Sequence, residues 1–163
     1  VDICSYEPSF SGVVADILEQ IPELPCLQFG SLDPAAIDND FIHLLKQYKN
    51  IDSHFHFSIQ SGDNLILKRM GRRHSREDVI ALCLKIKEIR PDAVFSADFI
   101  CGFPTETINA FENTCKLVTE AGLHKLHVFP YSEREGTPAA RMPQLPMEER
   151  RRRAAILRDL SKE

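Results

Sequence analysis

The 163-residue chain contains no run of 18 apolar residues, and no charged-then-apolar stretch opens it. Neither a membrane span nor a signal peptide is therefore expected, and the cytoplasm is the expected compartment. Its five cysteines, Cys4, Cys26, Cys83, Cys101 and Cys115, include no Cys-x-x-Cys or other close pair. No metal site is expected from them, and no disulfide in a cytosolic setting. Cys83 and Cys115 fall on apolar helical stripes and read as buried thiols. No Ser-His-Asp or Cys-His order stands out. No initiator methionine precedes Val1, and Val1-Asp2-Ile3-Cys4 reads as the end of a strand, so the chain is expected to be a piece of something longer.

What is present supports one domain: the length fits, and 43% hydrophobic residues suffice for a core. The net charge of −4 hides two basic clusters, Lys68, Arg69, Arg72, Arg73 and Arg76 in one segment and Arg150 to Arg153 in another. A helix is expected over Ser11–Gln20, stopped by Pro22, then a short strand over Cys26–Gly30 and a turn at Ser31-Leu32-Asp33-Pro34. Asp38 is the expected N-cap of a helix ending near Asn50. His54 to Gln60 alternates, with Phe55, Phe57 and Ile59 on one face and His54, His56, Ser58 and Gln60 on the other. This strand runs into Ser61-Gly62-Asp63 and a basic helical segment, Leu65–Arg73.

Ser75 then caps a helix with Glu77 and Asp78 in its first turn, ended by Arg90-Pro91. A strand follows over Ala93–Ile100, and Thr107 caps a helix through Glu120, with Gly122 placed for a left-handed C-terminal residue. The last strand is Leu123–Phe129, followed by a loop to Pro146 and a charged terminal helix over Met147–Leu160. Strand starts near 26, 55, 94 and 124 lie 29, 39 and 30 residues apart, with a helix in each gap. That is the rhythm of an α/β fold with repeated βαβ units and a parallel sheet. Four units are too few to close a barrel, and an open edge is expected. On one face the strands carry Gln28, His56, Ser58, Gln60, Ser96, Asp98 and His127, which implies a lumen or groove for a polar ligand.

Gln60-Ser61-Gly62-Asp63, at a strand's C-terminal end, suits a ribose or phosphate, or is an ordinary βα turn. Glu106 either accepts hydrogen bonds from a ligand or is a helix N-terminal acid. The segment Leu67–His74 holds a carboxylate or phosphate, touches RNA, or is a solvated cationic face. Arg150 to Arg153, beside Glu148 and Glu149, read as a surface charge run. His56 and His127 point into one lumen, but no carboxylate stands at ligand spacing, so they read as hydrogen-bonding histidines.

Taken together, His56-Phe57-Ser58-Ile59-Gln60-Ser61-Gly62-Asp63, Leu67-Lys68-Arg69-Met70-x-Arg72-Arg73-His74, Asp98-x-Ile100-x-Gly102-Phe103-Pro104-Thr105-Glu106-Thr107 and Tyr131-Ser132-x-Arg134-x-Gly136-Thr137-Pro138-Ala139-Ala140-Arg141-Met142-Pro143 resemble the radical S-adenosylmethionine methylthiotransferases. Arg134 and the Ala139–Gln144 tail look most like the subgroup that methylthiolates threonylcarbamoyladenosine beside the tRNA anticodon. The resemblance implies a partial TIM-like (β/α) barrel, open on the side of the preceding strands, over residues 1–146. Residues 147–163 would form a basic helix leading toward an RNA-binding domain. It further implies that Ser58, Gln60, Ser61, Asp98, Ile100, Gly102 and Glu106 contact S-adenosylmethionine, and that Arg69, Arg72 and Arg134 meet a substrate or cofactor carboxylate. The partner would be tRNA. The family's [4Fe–4S] cluster motif, Cys-x-x-x-Cys-x-x-Cys, is absent from these residues and is expected upstream, so the chain alone is expected to be inactive and to bind no cluster. Two alternatives stay open, another radical S-adenosylmethionine class and a non-catalytic RNA-binding module.

Overall fold

A computed structural model describes residues 9–161; the expected strand at Val1–Cys4 lies outside them. Helix α1 (Phe10–Gln20) is capped by Ser9, whose hydroxyl accepts from Gly12 N–H. Four parallel strands follow, β1 (Ser31–Leu32), β2 (His54–Gln60), β3 (Val94–Cys101) and β4 (Leu123–Pro130), lying side by side in chain order. Helix α2 (Asn39–Gln47) leads into β2, α3 (Asn64–Arg69) and α4 (Arg76–Ile89) connect β2 to β3, and α5 (Ile108–Glu120) connects β3 to β4. Asp38, Ser75 and Thr107 cap α2, α4 and α5, and Asp78 completes a capping box at α4. Gly122, with φ of 62°, turns the chain from α5 into β4.

Two expected elements differ. The strand at Cys26–Gly30 is reduced to a bridge between Leu27 and Ile51, and continuous pairing starts only at Ser31 opposite His56. Four steps on one side therefore face five on the other, so one extra residue breaks the ladder. The basic helix stops at Arg69 rather than Arg73, because Gly71 takes a φ of 72° and the chain turns back.

The alternation of β2 is realised in full: Phe55, Phe57 and Ile59 are fully buried. They pack with Phe95 and Phe99 of β3 and with Val79, Cys83 and Ile86 of α4 in the main core. Burying each such side chain is worth about 1.5–3 kcal/mol relative to exposure. Helix α6 (Met147–Leu160) inserts Ala154 and Leu157 into this same core, so it is part of the sheet's cover.

Candidate functional site

A groove opens at the C-terminal ends of the strands, where open α/β sheets place ligands. One lobe, of about 680 Å³, is lined by Gln60, Asp98, Ile100, Tyr131, Arg134 and their neighbours. A second, of about 540 Å³, shares Gln60, Ile100, Thr137 and Ala139 and adds Arg69, Arg72 and Phe103. Both volumes lie in the range of small-molecule sites. Gln60 sits at their junction with φ of 75°, where the β2–β3 register slips by one residue between Phe57 and Gln60. Such a bulge re-aims a side chain at a sheet rim, and left-handed backbone at a non-glycine residue costs about 1–3 kcal/mol. Two buried polar atoms beside the groove lack an internal partner, Arg72 Nε and the Tyr131 hydroxyl.

The arginine segment is tied back to the fold by hydrogen bonds and an ion pair, although Arg69 and Arg73 stay exposed and only Arg72 and Arg76 are partly covered. Arg72 donates to the Ser58 carbonyl, Arg69 to the Thr105 hydroxyl, and Arg76 to the Asn113 carbonyl at 2.6 Å. Arg73 pairs with Asp33 at 3.0 Å. Burial alone raises the Asp33 carboxyl, but the hydrogen bonds from Arg73 and Ala35 N–H and the Arg72 charge outweigh it and hold it below its usual value. Burial pushes the His74 imidazole down, against the Ile59 carbonyl that raises it. Because its folded pKa is depressed, Asp33 contributes stability above its ordinary 3.8 that is lost as pH falls through the lower folded value. Asp33→Asn is expected to cost about 1 kcal/mol or less, given solvent screening, and to speed amide exchange over residues 71–74. Unchanged exchange there would show that Asp33 does not hold the segment.

Six of the ten residues expected at the site line the groove: Gln60, Asp98, Ile100, Arg69, Arg72 and Arg134. The other four do not line either lobe. Ser58 lends its carbonyl to Arg72. Ser61 is buried, its hydroxyl accepting from Asp63 N–H at 3.2 Å. Gly102 packs against Arg150, and Glu106 is buried against Arg153 Nη1 at 2.7 Å and Gly102 N–H at 2.9 Å. Glu106 thus has its charge satisfied from within, by Arg153 and the Gly102 N–H.

The structure corrects the expected surface run Arg150–Arg153. Arg151 and Arg152 are exposed, whereas Arg150 and Arg153 are buried. Arg150 donates to the carbonyls of Leu145 and Tyr131 at 2.8 and 3.1 Å and to Glu133 at 3.1 Å. Helical spacing puts positions 150 and 153 on one face, and Ala154 and Leu157 on that face were the available signal for burial.

On the inner face, His56 meets a carboxylate that strand pairing supplies. Asp98 Oδ1 lies 3.1 Å from His56 Nε2 and 3.4 Å from His127 Nδ1. These three residues come from three adjacent strands, so no linear spacing in the sequence marks them as a group.

The Radical SAM superfamily model matches residues 29–118, and the chain belongs to that superfamily. Among curated proteins, it is 52% identical over 164 residues to the threonylcarbamoyladenosine tRNA methylthiotransferase MtaB of Rickettsia prowazekii, covering 97% of this chain and 39% of that protein. It is 35% identical over 168 residues to the tRNA-2-methylthio-N(6)-dimethylallyladenosine synthase of Geobacillus kaustophilus, covering 99% of this chain and 32% of that one. The chain therefore spans between 32% and 39% of the length of these relatives. Among solved structures, coproporphyrinogen III oxidase (HemN) from Escherichia coli matches 94% of this chain and 38% of its own, with a TM-score of 0.70 at 18% identity, a likeness of fold.

The superfamily implies S-adenosylmethionine and a [4Fe–4S] cluster. The groove fits the former, with its arginines and two unpartnered buried donors. The cluster is not accommodated by the described residues. Their one group of three metal-ligating side chains contains no cysteine, and burial pushes the Cys83 thiol up to about 12 and raises those of Cys101 and Cys115. A cluster needs thiolates, which such burial opposes.

Proposed function

We propose that this chain is the S-adenosylmethionine-cradling part of a tRNA methylthiotransferase, one that adds a methylthio group to a modified adenosine beside the anticodon. The observation that carries this reading is the groove around the strained Gln60, in a chain similar along 97% of its length to a tRNA methylthiotransferase. Among the described residues, 9–146 contribute barrel strands and their helices, and Met147–Leu160 the helix that covers them. When bound, S-adenosylmethionine supplies the radical chemistry for which the superfamily is named.

The residues of this chain have positioning roles. Gln60 offers an amide with both a donor and an acceptor at the junction of the two lobes. Arg72 Nε is the charge-assisted donor for a carboxylate, with Arg69 beside it and Arg134 on the rim of the other lobe. Ile100 and Phe103 give the apolar walls for a flat ring. Ser58, Ser61, Gly102 and Glu106 act one layer behind, by fixing Arg72 and the two turns.

Calorimetric titration of the chain with S-adenosylmethionine tests this reading. Gln60→Gly is expected to keep thermal stability, because glycine relieves the left-handed strain, while weakening binding at least about tenfold, the loss of one or two hydrogen bonds. Equal affinity in wild type and Gln60→Gly, or no binding by the wild type, would remove the support for a cofactor cradle.

A further inference from the structure

We propose that His56, Asp98 and His127 form a binding site for a divalent transition-metal ion of the zinc, cobalt or iron(II) kind. This goes beyond the cofactor reading above, since neither S-adenosylmethionine nor a cluster enters it. The three residues stand on three adjacent parallel strands, with Asp98 directly paired to His127 and His56 paired to Ser96. Their nearest ligand atoms all lie within 4.8 Å of one another. An ion bound at about 2.0–2.2 Å sets neighbouring ligands roughly 3–3.5 Å apart in tetrahedral or octahedral geometry. The two carboxylate–imidazole separations, 3.1 and 3.4 Å, already have that spacing. The two imidazole ring centroids lie 4.9 Å apart.

The surrounding groups hold these ligands in orientation, the device that tunes protein metal sites. His56 Nδ1 is 2.7 Å from the hydroxyl of Ser96, which is buried and is itself 2.8 Å from His54 Nε2. Fixing Nδ1 in this way leaves Nε2 aimed at the site. The second oxygen of Asp98 accepts from Ser31 at 3.1 Å, which leaves Oδ1 between the two histidines. Anchoring from β1, β2 and β3 thus preorganises ligands on rigid elements.

The donor set selects the ion. Two imidazoles and one carboxylate suit zinc, cobalt, nickel and iron(II), whereas magnesium and calcium call for an oxygen cage and copper(I) for sulfur. The site is also reachable, since the His127 side chain is 44% exposed and Asp98 lines the larger lobe of the groove. Three protein ligands leave a coordination position on that side for water or for an oxygen of a molecule in the groove.

The test is titration of the chain with Co²⁺, followed by its visible d–d absorption, with Zn²⁺ as competitor. One equivalent is expected to bind without a thiolate charge-transfer band, and Zn²⁺ is expected to displace it. His127→Ala, at a half-exposed position that should not disturb folding, and Asp98→Asn are each expected to weaken binding at least about tenfold, with unchanged circular dichroism. Ser96→Ala removes only an orienting partner and is expected to cost about 10–100-fold. His124→Ala, an exposed histidine of the same strand outside the group, is expected to change nothing. Absence of binding up to millimolar Co²⁺ and Zn²⁺ would overturn the proposal and leave a hydrogen-bonded cluster. Binding that survives both His127→Ala and Asp98→Asn, or that shows thiolate bands, would place the ion elsewhere and overturn it equally. S-adenosylmethionine affinity is read separately through Gln60→Gly, a change that removes none of the three ligands.

Discussion

Arg153→Ala is expected to destabilise the chain by about 3–5 kcal/mol, the usual cost of removing one partner from a buried ion pair. The Arg153 and Glu106 side chains are 5% and 1% exposed. Arg153 Nη1 reaches the Glu106 carboxylate at 2.7 Å and its carbonyl at 2.9 Å, and Nε reaches Glu149 at 2.7 Å. The guanidinium also lies 5.5 Å from the centre of the Phe111 ring. Without it, Glu106 keeps only the Gly102 N–H as partner for a buried negative charge. Burial already raises the Glu106 pKa above its ordinary value, although Arg153 and Gly102 N–H pull it down, and losing Arg153 raises it further.

A raised folded pKa means that the folded state holds the proton more tightly. The associated stability is full below the ordinary value of 4.5 and is lost as pH rises through the folded value. Arg153→Ala should therefore recover part of its denaturant midpoint as pH is lowered from 7 toward 5, and Glu106→Gln in that background should recover part of it at pH 7. A wild-type midpoint for Arg153→Ala at pH 7 would show that the pair does not hold α6 to the β3–α5 turn.

Gly102→Ala is expected to cost about 2–5 kcal/mol from two sources that a double mutant separates. The first is backbone: φ is 73°, and left-handed conformation costs an L-residue roughly 1–2 kcal/mol. The second is space, because an added Cβ would lie 2.6 Å from Arg150 Cγ, 2.9 Å from its Cβ and 3.0 Å from its Cα. Overpacking of this sort costs about 1–3 kcal/mol. Arg150 cannot swing aside cheaply, since its head is tied to the Tyr131 and Leu145 carbonyls, and its Cα belongs to α6. Urea unfolding of Gly102→Ala, Arg150→Ala and the double mutant should show less than additive losses, because the alanine at 150 removes part of the clash. Fully additive losses would mean that glycine at 102 answers only to the backbone angle. Since Tyr131 lines the groove and its carbonyl is held by Arg150, these variants also report how firmly α6 shapes that wall.

The elements that were legible in the sequence share one property, a strong local signal. The Phe55, Phe57 and Ile59 alternation, the Ser75 cap with its acidic first turn, and the Thr107-to-Gly122 helix each depend on residues within a few positions of one another. Met147–Leu160 was bounded correctly for the same reason. The misplaced strand at Cys26–Gly30 also alternates, but pairing there depends on the count of residues in the facing strand, which is non-local. At the site, Gln60, Ile100 and the arginines were marked by a motif at strand ends. The inward turn of Ser61 and Glu106 was not, because the partners that claim them, Asp63 N–H and Arg153, compete with any ligand only after the chain has folded. Tyr131, by contrast, belongs to one of the family motifs, yet its unpartnered hydroxyl is a property of its burial alone.

By itself, then, the amino-acid order determined the α/β rhythm, the faces of the strands, the caps of the helices and the motifs of the radical S-adenosylmethionine superfamily. The rhythm, the faces and the caps follow from torsional periodicity and from hydrogen bonds spanning three or four residues, whereas the motifs rest on resemblance to the family. Only the tertiary structure decided which polar residues face the groove and which are spent internally. It buried Arg150 and Arg153 instead of exposing them, bent the backbone at Gln60, and brought Asp98 between His56 and His127. Each of those outcomes depends on register between strands or on a helix docking from far along the chain. A buried charge or a convergent set of ligands exists only when distant segments arrive together.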